Sequence, residues 1–517
     1  MNGKLILGME LGSTRIKSVL INENAEILAS GSYVWENTRE NGYWIYAEED
    51  IEIGVKKSFA ALARDYREKY DKELTCVTAI GVSAMMHGYI ALDENGKFLT
   101  PFRTWRNTTT KAAADELTKE FEFNIPQRWS VAHYYQAVLN GEEHVRKTAF
   151  LTTLAGYVHF RLSGEKVIGI GDASGMFPVD GNGYDAELIK KFNALSSKNG
   201  GCCDFEKLLP KPLKAGVCAG VLTESGARFL DESERLRSGC VLCPPEGDSG
   251  TGMTATNSVE KCTANVSAGT SAFLMIVAQK PFNAFNREID IVATPHGLPV
   301  AMVHANNCTN EINAWTKIFG EAAAIASGKQ IDRNELIARL FEESENSSEN
   351  LGGLLGYNFL SGEPIARADG GRPLIMREAG FSPTLADFMK MQLYSAVAAL
   401  RLGVEIAEKE GVKADCVCGH GGFFKTDRVG QSVMAAALKA PVSVMKTAGE
   451  GGAFGMALLA LFALCCETDL PTFLSGIFEN AEKTVVAPSV KEQKSFDMFM
   501  KKYKAGLETA RTAAKIG

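Results

Sequence analysis

The sequence predicts an α/β protein built from two similar halves that share a cleft. Two observations support this fold class. Short apolar strands alternate with helices along the chain, and a strand, a glycine-hydroxyl turn and a second strand occur twice, about 255 residues apart. Because matching turns at matching places indicate duplication, we expect each half to contribute one turn to the cleft.

The individual elements follow from apolar runs and their periodicity. In the first half we predict strands over residues 4–9 and 18–22, a helix over 48–68, and strands over 76–82 and 88–92. In the second half we predict strands over 263–266, 272–277 and 415–418, a helix over 427–439 and a strand over 442–445. Two further helices are predicted, one apolar within 451–466 and one charged and amphipathic over 491–514.

The composition is that of an ordinary globular protein. The 517 residues include 62 acidic and 55 basic side chains, which give a net charge of −7, and 45% are hydrophobic. Such a chain lacks the clustered Lys and Arg that bind nucleic acid or anionic lipid, so we expect neither as a partner. The longest apolar stretch is shorter than the ~18 to 20 residues that span a bilayer. The first residues do not resemble a signal peptide, so we expect a cytoplasmic protein.

The 12 cysteines do not form a disulfide framework, because they are scattered and include adjacent pairs. Cys240 and Cys243 have the spacing of a zinc or redox motif. No second such pair or histidine pair accompanies them, so we interpret them as ordinary core or loop cysteines.

The first glycine-hydroxyl turn carries groups that bind phosphate. Gly12 lets the backbone approach an anion closely, Ser13 and Thr14 add hydroxyl donors, and Lys17 provides a cation. A plain hairpin turn is the alternative. The sequence contains neither GxxxxGK[ST] nor a strand-linked GxGxxG, so the common nucleotide-binding loops do not explain the turn.

Asp248 is the candidate proton acceptor. It lies among glycines and small polar residues just before the second half begins. Phosphoryl transfer to an alcohol needs a group that accepts the hydroxyl proton, and a carboxylate at a rigid turn is suited to this role. A cap for the helix that follows is the alternative, and the residues alone fit both interpretations.

Several separated motifs together resemble the FGGY carbohydrate kinases, of the sugar kinase, actin and heat-shock chaperone ATPase superfamily. Gly247-Asp248 stands where this family has its catalytic aspartate, and Met86-His87-Gly88 is similar to the sugar-contacting segment of its xylulokinase-like branch. The other matching segments are residues 8–17 and 266–271 (phosphate motifs), 154–165 and 172–175 (the stretch before the first-domain insertion), 419–426 (the adenosine-binding glycine motif) and 450–455. Together they follow the family's order across residues 4–460.

The resemblance implies two actin-like (RNase H-like) domains with an interdomain cleft. We expect an N-terminal sugar-binding domain over residues 1–257 and a C-terminal ATP-binding domain over residues 258–475. A helical segment over residues 476–517 is expected to pack back on the body.

The resemblance also implies ATP and Mg²⁺ as cofactors and a set of site residues. Asp248 is expected to be the catalytic base, and Glu10 and Asp248 are expected to lie near the metal. The expected sugar contacts are Met86, His87, Gly88, Trp105, Asn107 and Asp248. The expected ATP contacts are Gly12, Ser13, Thr14, Lys17, Gly269, Thr270, Ser271, Gly421, Gly422 and Phe423. For His87, Trp105 and Phe423, packing in the core is the alternative.

The functional prediction is an ATP-dependent kinase that phosphorylates a primary hydroxyl of a ketopentose, L-ribulose or D-xylulose, in carbohydrate catabolism. The alternatives are a kinase of another ketose or polyol, and a non-catalytic nucleotide-gated sugar sensor. Glu10 replaces the aspartate that is usual in the family, and residues 104–107 and 130–135 match it poorly, so the identity of the sugar stays open. Relatives are often dimers, which implies a possible homodimer.

Overall fold

The computed structural model describes residues 3–282, 286–426, 428–445, 451–465 and 467–516. The strands are β1 (Ile6–Leu11), β2 (Arg15–Ile21), β3 (Ile27–Val34), β4 (Thr38–Glu40), β5 (Tyr43–Tyr46), β6 (Ala79–Ala84), β7 (Ile90–Leu92), β8 (Phe102–Arg103), β9 (Phe150–Thr152), β10 (Val167–Gly169), β11 (Lys211–Leu213), β12 (Val241–Leu242), β13 (Glu246–Gly247), β14 (Thr263–Ala268), β15 (Ala272–Val277), β16 (Asp290–Ala293), β17 (Pro299–Ala305), β18 (Leu354–Tyr357), β19 (Leu374–Arg377), β20 (Cys416–His420), β21 (Val442–Met445) and β22 (Lys483–Val486).

The α-helices include three long ones, α1, α11 and α15, and several short ones between strands. They are α1 (Glu48–Tyr70), α2 (Lys111–Phe121), α3 (Ser130–Leu139), α4 (Leu154–Ser163), α5 (Ile170–Ala173), α6 (Ala186–Lys198), α7 (Glu224–Leu230), α8 (Asp248–Ala255), α9 (Asn310–Ser327), α10 (Arg333–Glu343), α11 (Leu385–Lys409), α12 (Val429–Leu438), α13 (Gly451–Phe462), α14 (Leu470–Phe478) and α15 (Val490–Ala513).

The chain forms two α/β units, which confirms the predicted fold class. Unit 1 contains residues 1–260, 290–300 and 450–480. Unit 2 contains residues 261–289, 301–449 and 481–517. The chain first passes from unit 1 to unit 2 after residue 260, and residues 450–480 belong to unit 1, whereas the sequence predicts one continuous second domain over 258–475.

The packing of α13 explains why residues 450–480 belong to unit 1. This apolar helix lies on the sheet of unit 1, because two strand glycines leave room for it. A Cβ atom at Gly8 would lie 2.1 Å from the Ala453 carbonyl oxygen, and one at Gly81 would lie 2.8 Å from the Met456 carbonyl oxygen. The chain therefore returns to unit 1 late in the sequence, which the motifs along it did not indicate.

The sheet of unit 1 has the strand order β12-β6-β1-β2-β3, and β13 also pairs with β6. Strands β1, β2 and β3 are antiparallel neighbours, whereas β6 runs parallel to β1. Helix α1 covers the face opposite α13, where a Cβ atom at Gly31 would lie 2.2 Å from the Leu62 backbone nitrogen. On that face the Ser18 and Ser58 hydroxyls form a buried hydrogen bond of 2.7 Å.

The sheet of unit 2 repeats this pattern. Its strands β17, β15, β14, β20, β21 and β22 are neighbours in that order. Strands β14 and β15 are antiparallel and β20 runs parallel to β14, just as β2 and β6 flank β1. The duplication that the two turns predict is therefore confirmed within each unit.

Helices α11 and α15 form the core of unit 2 with this sheet. Helix α11 begins with a capping box, in which the Thr384 hydroxyl accepts the Asp387 N–H and the Asp387 carboxylate accepts the Thr384 N–H. Helix α15 packs its aromatic residues against this unit, with the Tyr503 and Tyr357 rings 4.5 Å apart. Helix α15 thus packs on the rest of unit 2.

Replacing Gly8 with alanine tests the contact between α13 and β1. The new Cβ atom would lie 2.1 Å from the Ala453 carbonyl oxygen and 2.5 Å from the Ala457 nitrogen, so the helix would have to move. We expect Gly8→Ala to lower the free energy of unfolding by about 1 to 3 kcal/mol or more, measured by denaturant melts.

The control is Gly476→Ala in α14, where no heavy atom lies within 4 Å of the added Cβ atom. Alanine is the better helix former, so we expect a gain of up to about 1 kcal/mol there. Equal effects of Gly8→Ala and Gly476→Ala would contradict the close-packing account.

Candidate active site

The turn between β1 and β2 has its carbonyl groups held by the surrounding protein. Trp35 donates its indole N–H to the Gly12 carbonyl (2.7 Å) and its backbone N–H to the Thr14 carbonyl (3.2 Å). The Tyr46 hydroxyl donates to the Ser13 carbonyl (2.6 Å). Among the described residues, the backbone N–H groups of Ser13 and Thr14 have no acceptor. Because its carbonyl groups are held in place and its N–H groups still lack acceptors, the turn is suited to bind an anion.

Glu10 lies at the end of β1, opposite Lys17 on β2. Its carboxylate accepts the backbone N–H groups of Gly452 and Ala453 at the start of α13. Burial and the nearby charge of Asp248 raise the pKa of Glu10 to about 7, although Lys17 and the two N–H groups act in the opposite direction. Glu10, Lys17 and Asp248 therefore form one electrostatic group.

Asp248 is the first residue of α8, after the N-cap Gly247. Its carboxylate accepts the backbone N–H of Met86 (3.1 Å) and also N–H groups at the start of its own helix. The helix-cap interpretation therefore holds in part. Asp248 as a residue is exposed, yet the protein around its carboxyl group partly excludes water. This desolvation raises the pKa of the Asp248 carboxyl to about 6. The group is thus mostly ionised at neutral pH and basic enough to accept a proton.

Met86, His87 and Gly88 form a turn after β6 with an unusual backbone. His87 has a φ of 73° and Gly88 a φ of 95°, so both lie in the left-handed region. For a side chain such as histidine this conformation costs on the order of 1 to 3 kcal/mol, and such strain is concentrated at functional sites. The His87 Nδ1 atom lies 3.4 Å from the Gly175 carbonyl oxygen. Met86 and His87 are both buried, and the turn holds the Met86 N–H that Asp248 accepts, while its expected contact with a sugar stays a prediction.

Trp105 lies on the loop after β8 and keeps 36% of its surface exposed. Its indole N–H donates to the Ser13 hydroxyl oxygen over 3.1 Å. The structure therefore places Trp105 beside the first glycine-hydroxyl turn, with aromatic surface left for a ligand.

Asn107 has a supporting position in the same loop. Its Oδ1 atom accepts the Trp44 backbone N–H (2.8 Å), and its Nδ2 group donates to the carbonyls of Trp44 (2.8 Å) and Thr104 (2.9 Å). Both amide hydrogens are used and the residue is buried. Asn107 thus holds the loop that carries Trp105, and its expected sugar contact stays a prediction.

Two buried acids beneath this site were not singled out by the sequence. The Glu246 carboxylate accepts the backbone N–H groups of Gly171 (3.2 Å) and Asp172 (2.9 Å). Asp172 accepts the Thr153 hydroxyl at Oδ2 (2.6 Å), while its buried Oδ1 has no partner among the described residues. Burial raises the pKa of Glu246 to about 8 and that of Asp172 to about 7. An acidic residue within a run of apolar and small residues is the only sequence signal for either.

The second glycine-hydroxyl turn, in unit 2, is built like the first. Thr309 donates its backbone N–H (3.0 Å) and its hydroxyl (2.7 Å) to the Gly269 carbonyl, and Cys308 donates its N–H to the Thr270 carbonyl (2.9 Å). Within the described residues, the N–H groups of Thr270 and Ser271 have no acceptor. No heavy atom lies within 4 Å of where a Gly269 Cβ atom would be, so a ligand has room there.

Gly421 and Gly422 follow β20 beside this second turn. Gly421 has a φ of 104°, and a Cβ atom on it would lie 2.4 Å from the Ala268 carbonyl oxygen, so only glycine fits. The space beside Gly422 is open. The Phe423 side chain is fully buried and packs against Phe341. Phe423 thus has no exposed ring face for adenine, and the core-packing alternative describes its side chain.

The carboxylates of Glu10 and Asp248 fit a magnesium ion. Mg²⁺ prefers oxygen ligands and is usually held by one or two carboxylates, phosphate oxygens and water. The charge of Asp248 raises the pKa of Glu10, and a divalent cation would relieve that repulsion. Within the described residues, no group of three or more His, Cys, Asp or Glu side chains could hold a metal ion by itself. Cys240 and Cys243 are buried free thiols.

Comparison with known proteins identifies the chain. Residues 5–230 match the N-terminal domain and residues 264–464 the C-terminal domain of the FGGY family of carbohydrate kinases. The chain belongs to this family. It is therefore a phosphotransferase that acts on a small-molecule sugar, and ATP is the phosphate donor of FGGY kinases.

Individual relatives agree on the family but differ in the sugar they are named for. Xylulose kinase of Haemophilus influenzae is 21% identical, with 96% of this chain and 98% of that protein covered. Gluconokinase of Bacillus subtilis is 26% identical over 36% of this chain and 37% of that protein. The solved xylulose kinase and gluconate kinase of Lactobacillus acidophilus have TM-scores of 0.78 and 0.79 at 18% identity, each with 98% of this chain and 99% of that chain covered.

One negative finding concerns the membrane. No helix in the residues that the structure describes is long and apolar enough to cross a bilayer.

The raised pKa of Asp248 predicts how activity depends on pH. A general base must be ionised, so kcat/KM for the sugar should rise with pH through about 6. With a pKa of about 6, we expect roughly tenfold less activity at pH 5 than at pH 7.5. Melting temperatures at the same pH values serve as the control for unfolding. A flat profile from pH 5 to pH 8 in a folded enzyme would exclude Asp248 as the titrating base.

Proposed function

We propose that this FGGY kinase transfers the γ-phosphoryl group of ATP, with Mg²⁺, to a primary hydroxyl of a neutral ketopentose, L-ribulose or D-xylulose. The observation that carries the proposal is the Asp248 carboxylate. The Met86 N–H holds it in place, and its pKa of about 6 makes it an ionised base at neutral pH. As the sugar oxygen attacks phosphorus, the hydroxyl proton passes to Asp248.

The remaining roles follow from the two glycine-hydroxyl turns. In unit 1, the unused N–H groups of Ser13 and Thr14 would bind phosphate oxygens, and Lys17 would balance their charge. In unit 2, the turn at Gly269 and the open space beside Gly422 would hold the nucleotide. Glu10 and Asp248 would hold Mg²⁺, which neutralises charge on the phosphates. We thus assign the sugar to unit 1 and ATP mainly to unit 2.

The charges of unit 1 favour a neutral sugar over gluconate. Arg103, which pairs with Tyr89 through two backbone hydrogen bonds, is bound by the Glu142 carboxylate. Arg128, whose carbonyl accepts the Gly88 N–H, is bound by the Asp290 carboxylate. Both arginines near the sugar-contacting turn are therefore already neutralised.

The carboxylates around the same turn point to the same conclusion. Asp248, which is mostly ionised at neutral pH, would repel a substrate carboxylate, while the raised pKa values of the buried Asp172 and Glu246 leave those two only partly ionised. Arg106 is not ion-paired in the described residues, but it lies over the Trp44 ring at 4.1 Å and donates to Asn37. Arg106 is therefore already held by an aromatic ring and an amide oxygen, away from any carboxylate partner in the described residues.

The alternative functions that the sequence leaves open also remain proposals. Another ketose or a polyol would use the same base and the same phosphate turns, because small changes in a loop redirect specificity. A nucleotide-gated sensor would not need the Asp248 base. A homodimer and a cytoplasmic location stay predictions.

The test is ADP release by the purified protein with ATP and Mg²⁺ and one sugar at a time. The panel contains D-xylulose, L-ribulose, a ketohexose, glycerol and D-gluconate, with a reaction lacking sugar as the blank. We expect turnover with one of the two ketopentoses, and a kcat/KM at least about tenfold lower for gluconate, since Arg103 and Arg128 beside the turn are already bound by carboxylates and Asp248 is negatively charged.

Other outcomes have defined meanings. Turnover with gluconate in preference to ketopentoses would contradict the charge argument and leave the kinase assignment intact. ADP release that does not depend on any sugar would favour the sensor.

A further inference from the structure

We propose that Trp105 couples sugar binding to phosphate binding through the hydrogen bond from its indole N–H to the Ser13 hydroxyl. The inference rests on the proposed function, because it assumes that the sugar and a phosphate group of ATP bind beside unit 1. It makes Trp105 a positioning residue for the phosphate turn in addition to a sugar contact.

The loop that carries Trp105 is held rigidly. The Thr104 N–H donates to the Trp44 carbonyl on β5 (3.0 Å), and the Asn107 amide makes three hydrogen bonds, two with the Trp44 backbone and one with the Thr104 carbonyl. Although the loop is fixed, the Trp105 ring remains 36% exposed. A fixed aromatic ring with a free surface is suited to stack on the apolar face of a sugar.

The Ser13 hydroxyl is equally constrained. Its backbone carbonyl is held by the Tyr46 hydroxyl, and its Oγ atom accepts the Trp105 indole N–H over 3.1 Å. The hydroxyl hydrogen points to the Met85 sulfur, 3.8 Å from Oγ. A thioether is a weak acceptor, whereas a phosphate oxygen is a strong, charged one. A bound phosphate would therefore take the hydroxyl hydrogen away from Met85.

The indole N–H makes this exchange depend on Trp105. A hydroxyl that accepts one hydrogen bond donates a stronger one, because hydrogen bonds in a chain polarise each other. With the Trp105 N–H fixed on Oγ, the hydroxyl of Ser13 can still donate to phosphate. Without this N–H, the Ser13 Oγ atom no longer accepts a hydrogen bond from Trp105, and the Ser13 hydroxyl rotates more freely.

The same contacts lead on to the catalytic base. Met85, which takes the Ser13 hydrogen, precedes Met86, whose backbone N–H donates to the Asp248 carboxylate. A short path of contacts therefore joins the exposed ring of Trp105, the phosphate turn and the base. A sugar stacked on Trp105 would restrict the ring and fix its N–H on Ser13, so sugar should favour phosphate binding. By linkage, phosphate should favour sugar binding to the same degree.

The experiment measures this coupling by calorimetry. The dissociation constant of a non-hydrolysable ATP analogue with Mg²⁺ is determined with and without saturating sugar, for the wild type, Trp105→Phe and Ser13→Ala. We expect sugar to tighten nucleotide binding at least about fivefold in the wild type. Trp105→Phe keeps an aromatic ring and removes the N–H, so the factor should fall close to one in this variant.

Two comparisons separate coupling from a merely structural effect. The coupling factor of the double variant, Trp105→Phe with Ser13→Ala, should equal that of Ser13→Ala alone, because both substitutions remove the same hydrogen bond. Trp315→Phe is the matched control, because the Trp315 indole N–H also forms a hydrogen bond, to Glu311, and the ring packs against Phe388 in unit 2. It should retain the wild-type factor.

The proposal is overturned if Trp105→Phe retains the wild-type coupling factor, or if the wild type shows no coupling. If Trp105→Phe no longer binds sugar, Trp105→His takes its place, because histidine keeps a ring N–H donor. Loss of coupling in Trp105→His at normal sugar affinity would also overturn the proposal. Failure of the proposed function is seen separately, as a wild type without sugar-dependent ADP release.

Discussion

The close packing of α13 on the backbone of β1 is the constraint on which the site of unit 1 depends. Gly8 and Gly81 let the helix approach the sheet, and Gly455 in α13 lets α8 approach in turn, since a Cβ atom there would lie 2.0 Å from the Thr251 carbonyl oxygen. The start of α13 is thereby placed where its N–H groups meet the Glu10 carboxylate. The start of α8 carries Asp248 to the same place. Larger residues at these glycines would separate the two carboxylates from each other and from the phosphate turn.

The electrostatics of the site follow from this packing. Four acidic groups lie on or beneath one surface of unit 1, and burial raises the pKa of each of them: Glu10, Asp172, Glu246 and Asp248. Desolvated carboxyls with raised pKa values are typical of acid–base sites. The ionised Asp248 carboxylate favours a cation and a neutral sugar over an anionic substrate. One arrangement therefore accounts for the base, the magnesium ion and the proposed substrate class.

The sequence predicted those parts of the site whose chemistry is local. The turns at Gly12 and Gly269 and the proposed base Asp248 could be singled out because each lies in a short segment of glycines and small polar residues next to a strand. The predicted strands over 272–277 and 442–445 agree with β15 and β21, because they are continuous apolar runs with clear ends. The duplication was recognisable for the same reason.

The parts that were missed depend on contacts distant in the sequence. Glu246 binds N–H groups 74 and 75 residues away, and nothing around it indicates a partner. The return of residues 450–480 to unit 1 depends on glycines in two separate strands. Asn107 and Phe423 have the residue types expected of ligand contacts, but the structure uses the first to brace a loop and the second to fill the core.

The measurement that tests the central claim most directly is a single-turnover rapid-quench experiment on Asp248→Asn. It follows formation of the sugar phosphate from labelled ATP, with the dissociation constants of ATP and sugar measured separately. If Asp248 accepts the hydroxyl proton, the transfer step should slow by roughly 10²- to 10⁴-fold while both ligands still bind with near wild-type affinity. A transfer step as fast as in the wild type, at unchanged affinities, would show that another group removes the proton.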